Sequence, residues 1–214
     1  MAPANFRPNL VLASASPRRV ALLEQAGLRP DRLAPTDVDE SVLRNEAPRK
    51  LALRLCIAKA EAAQKMPSIA EMRGDVYILA ADTVVGIGRR ILPKAQEPEE
   101  ARACLEMLSG RAHKVITGIC LIGPEGRKYS KYVESRVRFK RLTRTEINAY
   151  LASGEWRGKA GGYAIQGRAE VFVRQISGSF SNVVGLPLHE TFGLLAGAGY
   201  PALESWQEAK TGGV

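Results

Sequence analysis

The sequence predicts an α/β protein. Three observations carry that expectation. Helical and strand patterns alternate along the whole chain. Residues Val76 to Val85 form an apolar run broken only by Asp82 and Thr83, as in a strand buried on both faces. Helix-start signals, Ser16-Pro17 and Thr143-Arg144-Thr145-Glu146, stand between such runs.

The elements follow in order. Leu10 to Ala13 is a first strand, and a helix runs from Pro17 to about Ala26. Ser16 is suited to cap that helix, and Gly27 to stop it in the left-handed conformation. A second helix is expected from Pro48 to about Lys65, with Leu51, Leu55 and Ala58 on one face. After the strand at Val76 to Val85, Gly86 and Gly88 suggest a turn. Pro98 opens a helix with Glu99 and Glu100 at its positive end, Leu105 and Leu108 inward, and Gly110 closing it. Lys114 to Ile122 and Ser130 to Phe139 read as paired strands joined across Gly123-Pro124-Glu125-Gly126. The capping box at Thr143 starts a helix ending near Gly154. A glycine-rich loop, a strand from Ala169 to Ile176 and a helix after Pro187 complete the pattern, with a loose tail from Lys210 to Val214.

Composition narrows the class. The 214 residues fit one domain, 1–214, with a core of about 10–207, and neither repeat nor linker interrupts it. Lys and Arg number 31 against 22 Asp and Glu, for a net charge of +9. That excess suits a polyanionic partner, nucleic acid or a small phosphate ligand, without choosing between them. The 3 cysteines, Cys56, Cys104 and Cys120, are odd in number and widely spaced, which argues for a reducing compartment. With 2 histidines, His113 and His189, an all-protein zinc cage is not expected. No apolar stretch reaches the ~18 residues of a membrane span. The start lacks a signal peptide's apolar core, so a cytoplasmic location is expected.

Several segments could carry chemistry. Ser14-Ala15-Ser16-Pro17-Arg18-Arg19 lies at a strand-to-helix junction, where free backbone N–H groups and two guanidiniums suit phosphate oxygens. The same residues would equally serve a capped helix with solvated arginines. Asp82 is a carboxylate in the most apolar strand, costly to bury unless paired or bound to metal; the alternative is a strand-end cap. Asp37, Asp39 and Glu40 cluster in a loop and read first as solvated. Lys59 and Lys94 are single lysines that by themselves suit solvated faces. His113 could act as acid or base, though a structural hydrogen bond is the readier reading. Gly161-Gly162-Tyr163-Ala164-Ile165-Gln166-Gly167 allows close backbone approach to a ligand, yet its composition also fits a flexible surface loop. Phosphate-loop, dinucleotide-binding and nucleophile-elbow motifs are missing. Aromatics are 6% and not interleaved with the basic residues, unlike a stacking platform for nucleic acid.

In order, seven pieces resemble the Maf family. They are Leu12-Ala13-Ser14-Ala15-Ser16-Pro17-Arg18-Arg19, Asp39-Glu40, Ala58-Lys59-Ala60 and Ala81-Asp82-Thr83-Val84-Val85, then Leu108-Ser109-Gly110 through His113 to Thr117-Gly118, Gly162 to Gly167, and Gly178 to Leu188. The match spans about Leu10 to Phe192. The resemblance implies an elongated mixed β-sheet flanked by helices, of the Maf and inosine-triphosphatase type. It also implies a nucleoside triphosphate pyrophosphatase using a divalent cation, Mg²⁺ or Mn²⁺, and a homodimer. Tyr163 to Gly167 looks like the branch acting on dTTP and UTP.

By the same match Asp82 is the proton acceptor, and Arg18, Thr83 and Gln166 bear on substrate choice. Ser14, Arg19, Glu40, Lys59 and Lys94 match further pocket positions. Of these, Ser14, Arg19, Lys59 and Lys94 suit phosphate oxygens, and Glu40 and Asp82 suit the metal. The sequence leaves open whether Asp82 is base, metal ligand or both. One departure is that this chain has Pro93-Lys94-Ala95 where the family often has Lys-Pro. Such an enzyme would put water on the α-phosphorus and expel pyrophosphate, with cations offsetting the substrate's charge. The amide of Gln166 could pair with the N–H and carbonyl edge of uracil or thymine. Two alternatives stay open: a pyrophosphatase for other or modified nucleotides, and a nucleic-acid-binding or cell-division regulator. The second is disfavoured by the missing aromatic platform.

Overall fold

Every residue of β1 (Asn9–Leu12) after the first is buried, and the strand leads through Ala13 to Ser16 into α1 (Pro17–Gln25). The computed structural model describes residues 7–204 and 206. Strand β1 pairs in parallel with β2 (Arg32–Leu33) and, after α2 (Pro48–Gln64) and α3 (Pro67–Ala70), with β3 (Val76–Ile87). A short β4 (Arg90–Leu92) folds back on the end of β3. Then come β5 (Lys94–Ala95), α4 (Pro98–Leu108), β6 (Ala112–Ile122) and β7 (Lys128–Phe139). The chain continues with α5 (Arg144–Ser153), β8 (Lys159–Ala160), β9 (Val173–Ser177), α6 (Phe180–Val184) and α7 (Leu188–Gly197).

The main sheet has seven strands in the order β2-β1-β3-β6-β7-β9, with β4 beside β3. Pairings around β1 are parallel and the rest antiparallel, so the expected mixed sheet is observed. Strand β6 has 11 residues and β3 and β7 have 12. At ~3.3 Å per residue this part of the sheet runs roughly 40 Å, which makes it elongated. Strands β5 and β8 form a separate two-stranded sheet.

Helices cover both faces. Small residues of α2, Cys56, Ala60 and Ala63, lie on Val11, Ile78, Ala80 and Cys120. Contact is closest at Gly118, where a Cβ would fall 2.3 Å from the carbonyl oxygen of Ala52. The opposite face packs Leu10, Leu12, Leu79 and Ala81 against Leu22 and Leu23 of α1, Leu105 and Leu108 of α4, and Trp156.

The register leaves one opening. Strand β1 reaches Leu79 of β3, and β4 ends with Leu92 opposite Val85. Between them, among the described residues, Ala80 to Val84 have no strand partner on that edge. Their other edge is held by β6, with Asp82 opposite Gly118 and Thr83 opposite Thr117. Asp82 and Thr83 thus stand at a gap in the middle of the sheet.

Most expected elements form in place; the short β2, α3, β4, β5, β8 and α6 are not among those expected, and three further details differ. Ser16 makes no side-chain cap to α1; its backbone N–H instead donates to Ser14 Oγ at 3.2 Å. Gly86 stays in β3, and the turn falls at Gly88 with φ +57°. The strand expected from Ala169 is a 3-10 helix, Arg168–Phe172, before β9 begins at Val173. There Ala169 and Phe172, three apart, are buried together, a helical spacing that an apolar run conceals. The tail from Lys210 lies outside the described residues.

Candidate active site

Asp82 comes from the centre of β3 and is 1% exposed. Helix α2 lies over the Asp82–Gly118 pairing, and Lys59, two turns beyond Ala52, descends onto it. The Lys59 ammonium donates to Asp82 Oδ1 at 2.5 Å and to Glu40 Oε1 at 2.5 Å. Lys94 donates to Glu40 Oε2 and lies 3.7 Å from Asp82 Oδ1. Two carboxylates and two ammoniums therefore share one centre. Burial works against the Glu40 charge, but hydrogen bonds from Lys59 and Lys94 outweigh it and hold the carboxyl at about 2. Asp82 Oδ2 is buried without a hydrogen-bond partner. Asp39 stays outside the centre and accepts from the backbone N–H of Ser41 at 2.9 Å.

Across the gap, Arg19 is tied into the fold. Its Nε donates to the Gly185 carbonyl at 2.9 Å, Nη1 to Ser14 Oγ at 3.0 Å and Nη2 to Thr83 Oγ1 at 3.3 Å. Gly185 presents that carbonyl from a backbone at φ +131°, a conformation that residues with side chains rarely adopt. Burial pulls Arg19 below its ordinary value, opposed by Asp82 and Glu40. Arg18 is lowered by burial and then by Arg19 beside it. Lys159 is lowered by burial and by Arg18.

The glycine-rich loop is pinned, not loose. Gly161 to Ile165 are buried, and Gly161, at φ +69°, packs on Val85, where a Cβ would meet Cγ1 at 2.8 Å. Tyr163 Oη lies 2.7 Å from His113 Nε2, and the Ala164 N–H donates to Tyr150 Oη at 3.0 Å. His113 is 1% exposed and bonded to Tyr163, and burial holds it at about 4, which favours the neutral imidazole of a structural hydrogen bond. Gln166 is exposed at the loop's end.

Two cavities meet at this point. One, of about 170 Å³, is lined by Arg18, Arg19, Thr83, Lys159, Tyr163 and Gln166 among others. The other, of about 350 Å³, is lined by Glu40, Asp82, Thr83 and Lys94 with apolar neighbours. Thr83, Lys94 and Ala160 line both. Lys94 is placed there by β5, whose Lys94 and Ala95 pair with Ala160 and Lys159 of β8. The Pro93-Lys94-Ala95 order thus reaches the centre through a two-residue strand. All of the sequence-selected residues Ser14, Arg18, Arg19, Glu40, Lys59, Asp82, Thr83, Lys94 and Gln166 line these cavities or hydrogen-bond to residues that do.

The model of the Maf-like protein family matches residues 9–198. The chain belongs to that family. A relative from Chelativorans sp. (strain BNC1), named dTTP/UTP pyrophosphatase, is 60% identical over 92% of this chain and 94% of its own. One of the same name from Brucella abortus (strain 2308) is 57% identical over 96% of this chain and 99% of its own. Among solved structures, a HAM1 protein from Coxiella burnetii aligns over 65% of this chain and 76% of that one, with TM-score 0.43 and 18% identity.

Within this Maf-like chain, sequence reasoning assigned no role to Thr117, Asn182 or Lys159. Thr117 and Asn182 are fully buried, and Lys159 lines the basic cavity. A signal for Thr117 existed: it is a hydroxyl inside the apolar run Val115 to Ile122. Among the described residues no helix is long and apolar enough to cross a membrane.

Proposed function

We propose that this Maf-like chain hydrolyses dTTP and UTP to the nucleoside monophosphate and pyrophosphate. The carrying observation is the junction at Thr83 of a basic cavity lined by Arg18, Arg19, Lys94 and Lys159 with the Asp82–Glu40 centre. The names of the relatives, which match over nearly their whole length, support the same substrates.

The reaction needs water brought to the α-phosphorus, an acceptor for its proton and cations for the phosphates. Asp82 Oδ1 is engaged by Lys59, so Oδ2 is the oxygen left either to take the proton or to meet a cation, one at a time. The water oxygen then bonds to the α-phosphorus, the bond to the bridging α–β oxygen breaks, and pyrophosphate leaves. Arg18, Lys94 and Lys159 offset the charge on the phosphate oxygens. Arg19 keeps donor capacity beyond its three protein bonds, and Ser14 holds its guanidinium in place. Gln166, at the rim of the basic cavity, is suited to the base edge.

A divalent cation fits this donor set. Magnesium takes one or two carboxylates plus phosphate oxygens and water. Asp82 Oδ2 is buried and unpartnered, and the two Glu40 oxygens, which accept from Lys59 and Lys94, belong to the same centre. Asp82 and Glu40 would hold the ion, which would supply Lewis-acid polarisation of the phosphates. We place the reaction in the cytoplasm; Cys56, Cys104 and Cys120 as free, buried thiols suit a reducing compartment.

The experiment is pyrophosphate release across the common ribo- and deoxyribonucleoside triphosphates, with Mg²⁺, with Mn²⁺ and with chelator. Monophosphate and pyrophosphate in equal amounts, highest for dTTP and UTP, are expected. Release of inorganic phosphate and diphosphate would overturn the reading.

A further inference from the structure

A chain of hydrogen bonds runs from the cavities into the core. Arg19 Nη2 donates to Thr83 Oγ1 at 3.3 Å. Thr83 Oγ1 lies 3.0 Å from Thr117 Oγ1. Thr117 Oγ1 donates to the Asn182 carbonyl at 3.0 Å. Asn182 is held in turn by its own amide, which donates to the Val115 carbonyl at 3.1 Å and to Ser135 Oγ at 2.9 Å.

Proton counting gives this chain a direction. A hydroxyl has one proton and two lone pairs. A carbonyl can only accept, so the Thr117 proton lies on the Asn182 oxygen. The bond between the two hydroxyls must then use the Thr83 proton. A guanidinium can only donate, so Arg19 takes one Thr83 lone pair. Thr83 has spent its proton and has one lone pair left. It is part-exposed and lines both cavities, whereas Thr117 is 0% exposed.

We infer that Thr117 is a positioning residue that locks Thr83 as a hydrogen-bond acceptor, so that the pocket at Thr83 recognises a donor on the ligand. Selection at this point works by polarity. A ligand N–H or O–H is accepted, while a ligand oxygen or unprotonated ring nitrogen meets a lone pair with no proton to share. In a nucleotide the donor is either an N–H of the base or a hydroxyl of the sugar. The inference rests on the proposed nucleotide reading for its ligand, but the locked polarity belongs to the protein alone.

The test uses Thr117→Val, which keeps shape and removes the hydroxyl, and Thr117→Ser, which keeps the hydroxyl. Melting temperatures verify that both fold. For wild type and both variants, kcat/KM is measured with UTP, with CTP, whose N3 is an unprotonated acceptor, and with 3′-deoxy-3′-fluoro-UTP, whose fluorine can accept but cannot donate. In Thr117→Val the Thr83 proton is freed, so one of the two wild-type preferences for UTP should shrink at least about tenfold, the worth of a buried hydrogen bond to a mispaired group. Loss of the preference for UTP over CTP identifies the base N–H as donor, and loss of the preference over the fluorinated sugar identifies the sugar hydroxyl. Thr117→Ser should keep wild-type ratios. Unchanged ratios in a folded Thr117→Val, or a Thr117→Ser as unselective as the valine variant, overturn the inference. Should the wild type fail to hydrolyse UTP, the nucleotide reading falls, and neutron diffraction on the same chain decides the polarity. Deuterons directed from Thr83 to Thr117 and from Thr117 to the Asn182 oxygen sustain it, and the reverse order overturns it.

Discussion

The Lys59 ammonium lies 2.5 Å from Asp82 Oδ1 and has the same distance to Glu40, so one lysine bridges two carboxylates from a loop and a strand. Removing one partner of a buried ion pair leaves a charge uncompensated. Lys59→Met should therefore cost about 3 kcal/mol, read from urea unfolding. Asp82→Asn should remain folded but lose about 10²-fold or more in turnover, from the usual worth of a general base. The double variant should be more stable than Lys59→Met alone, because the orphaned charge is gone. Additive losses would show that the two side chains do not interact energetically.

Arg18 and Arg19 are neighbours with different duties. Arg19 holds Ser14, Thr83 and Gly185 together, so Arg19→Ala should lower stability by about 2–3 kcal/mol, as charged hydrogen bonds are lost. Arg18→Ala should leave the melting temperature nearly unchanged and mainly raise KM for the triphosphate. Lysine should rescue Arg18 poorly, since the planar fork is lost. The comparison needs thermal melts and steady-state kinetics on all three variants, and equal destabilisation by both alanines would refute the division.

Gln166 is exposed at the rim of the basic cavity, at the end of a loop fixed by Tyr163 and Ala164. Gln166→Ala should lower kcat/KM for dTTP and UTP by about ten- to a hundredfold, from the cost of an unpaired base edge. Discrimination against CTP and GTP should narrow in parallel. An equal fall for all four nucleotides would assign Gln166 to the phosphates or to the loop.

His113 and Glu40 set an acid-side stability profile. Burial holds His113 at about 4 against an ordinary 6.5, so the unfolded chain binds a proton first. Its contribution is fully present above pH 6.5 and is lost down to about 4, a fall of at most about 3 kcal/mol. Glu40, held at about 2 against 4.5, contributes above pH 4.5 and is lost as pH falls towards 2. Urea unfolding at steps from pH 7 to pH 3 should show both slopes. His113→Gln should flatten the upper one, and Glu40→Gln should reduce the lower, which Glu146, also held at about 2 by Lys140 and Thr143, shares. A wild-type stability independent of pH between 6.5 and 4 would rule out the buried neutral histidine.

Local chemistry made much of this legible in the sequence. Periodicity, proline and glycine punctuation and the capping box at Thr143 depend on neighbours a few residues apart, and those elements appear in the structure where expected. Asp82 stood out because a carboxylate in an apolar strand must be paired or functional. What only the tertiary structure decided depends on strand register and helix approach. The gap between β1 and β4 that opens β3 at Asp82 and Thr83 comes from where pairing stops. The descent of Lys59 onto Asp82 depends on Gly118 letting α2 lie against the sheet. The loop at Gly161 to Ile165 has the composition of a mobile segment, yet Val85, His113 and Tyr150 hold it from distant parts of the chain. The direction of the Thr83–Thr117–Asn182 chain depends on which hydroxyl reaches a carbonyl across 65 residues of sequence, a proximity that no local pattern encodes.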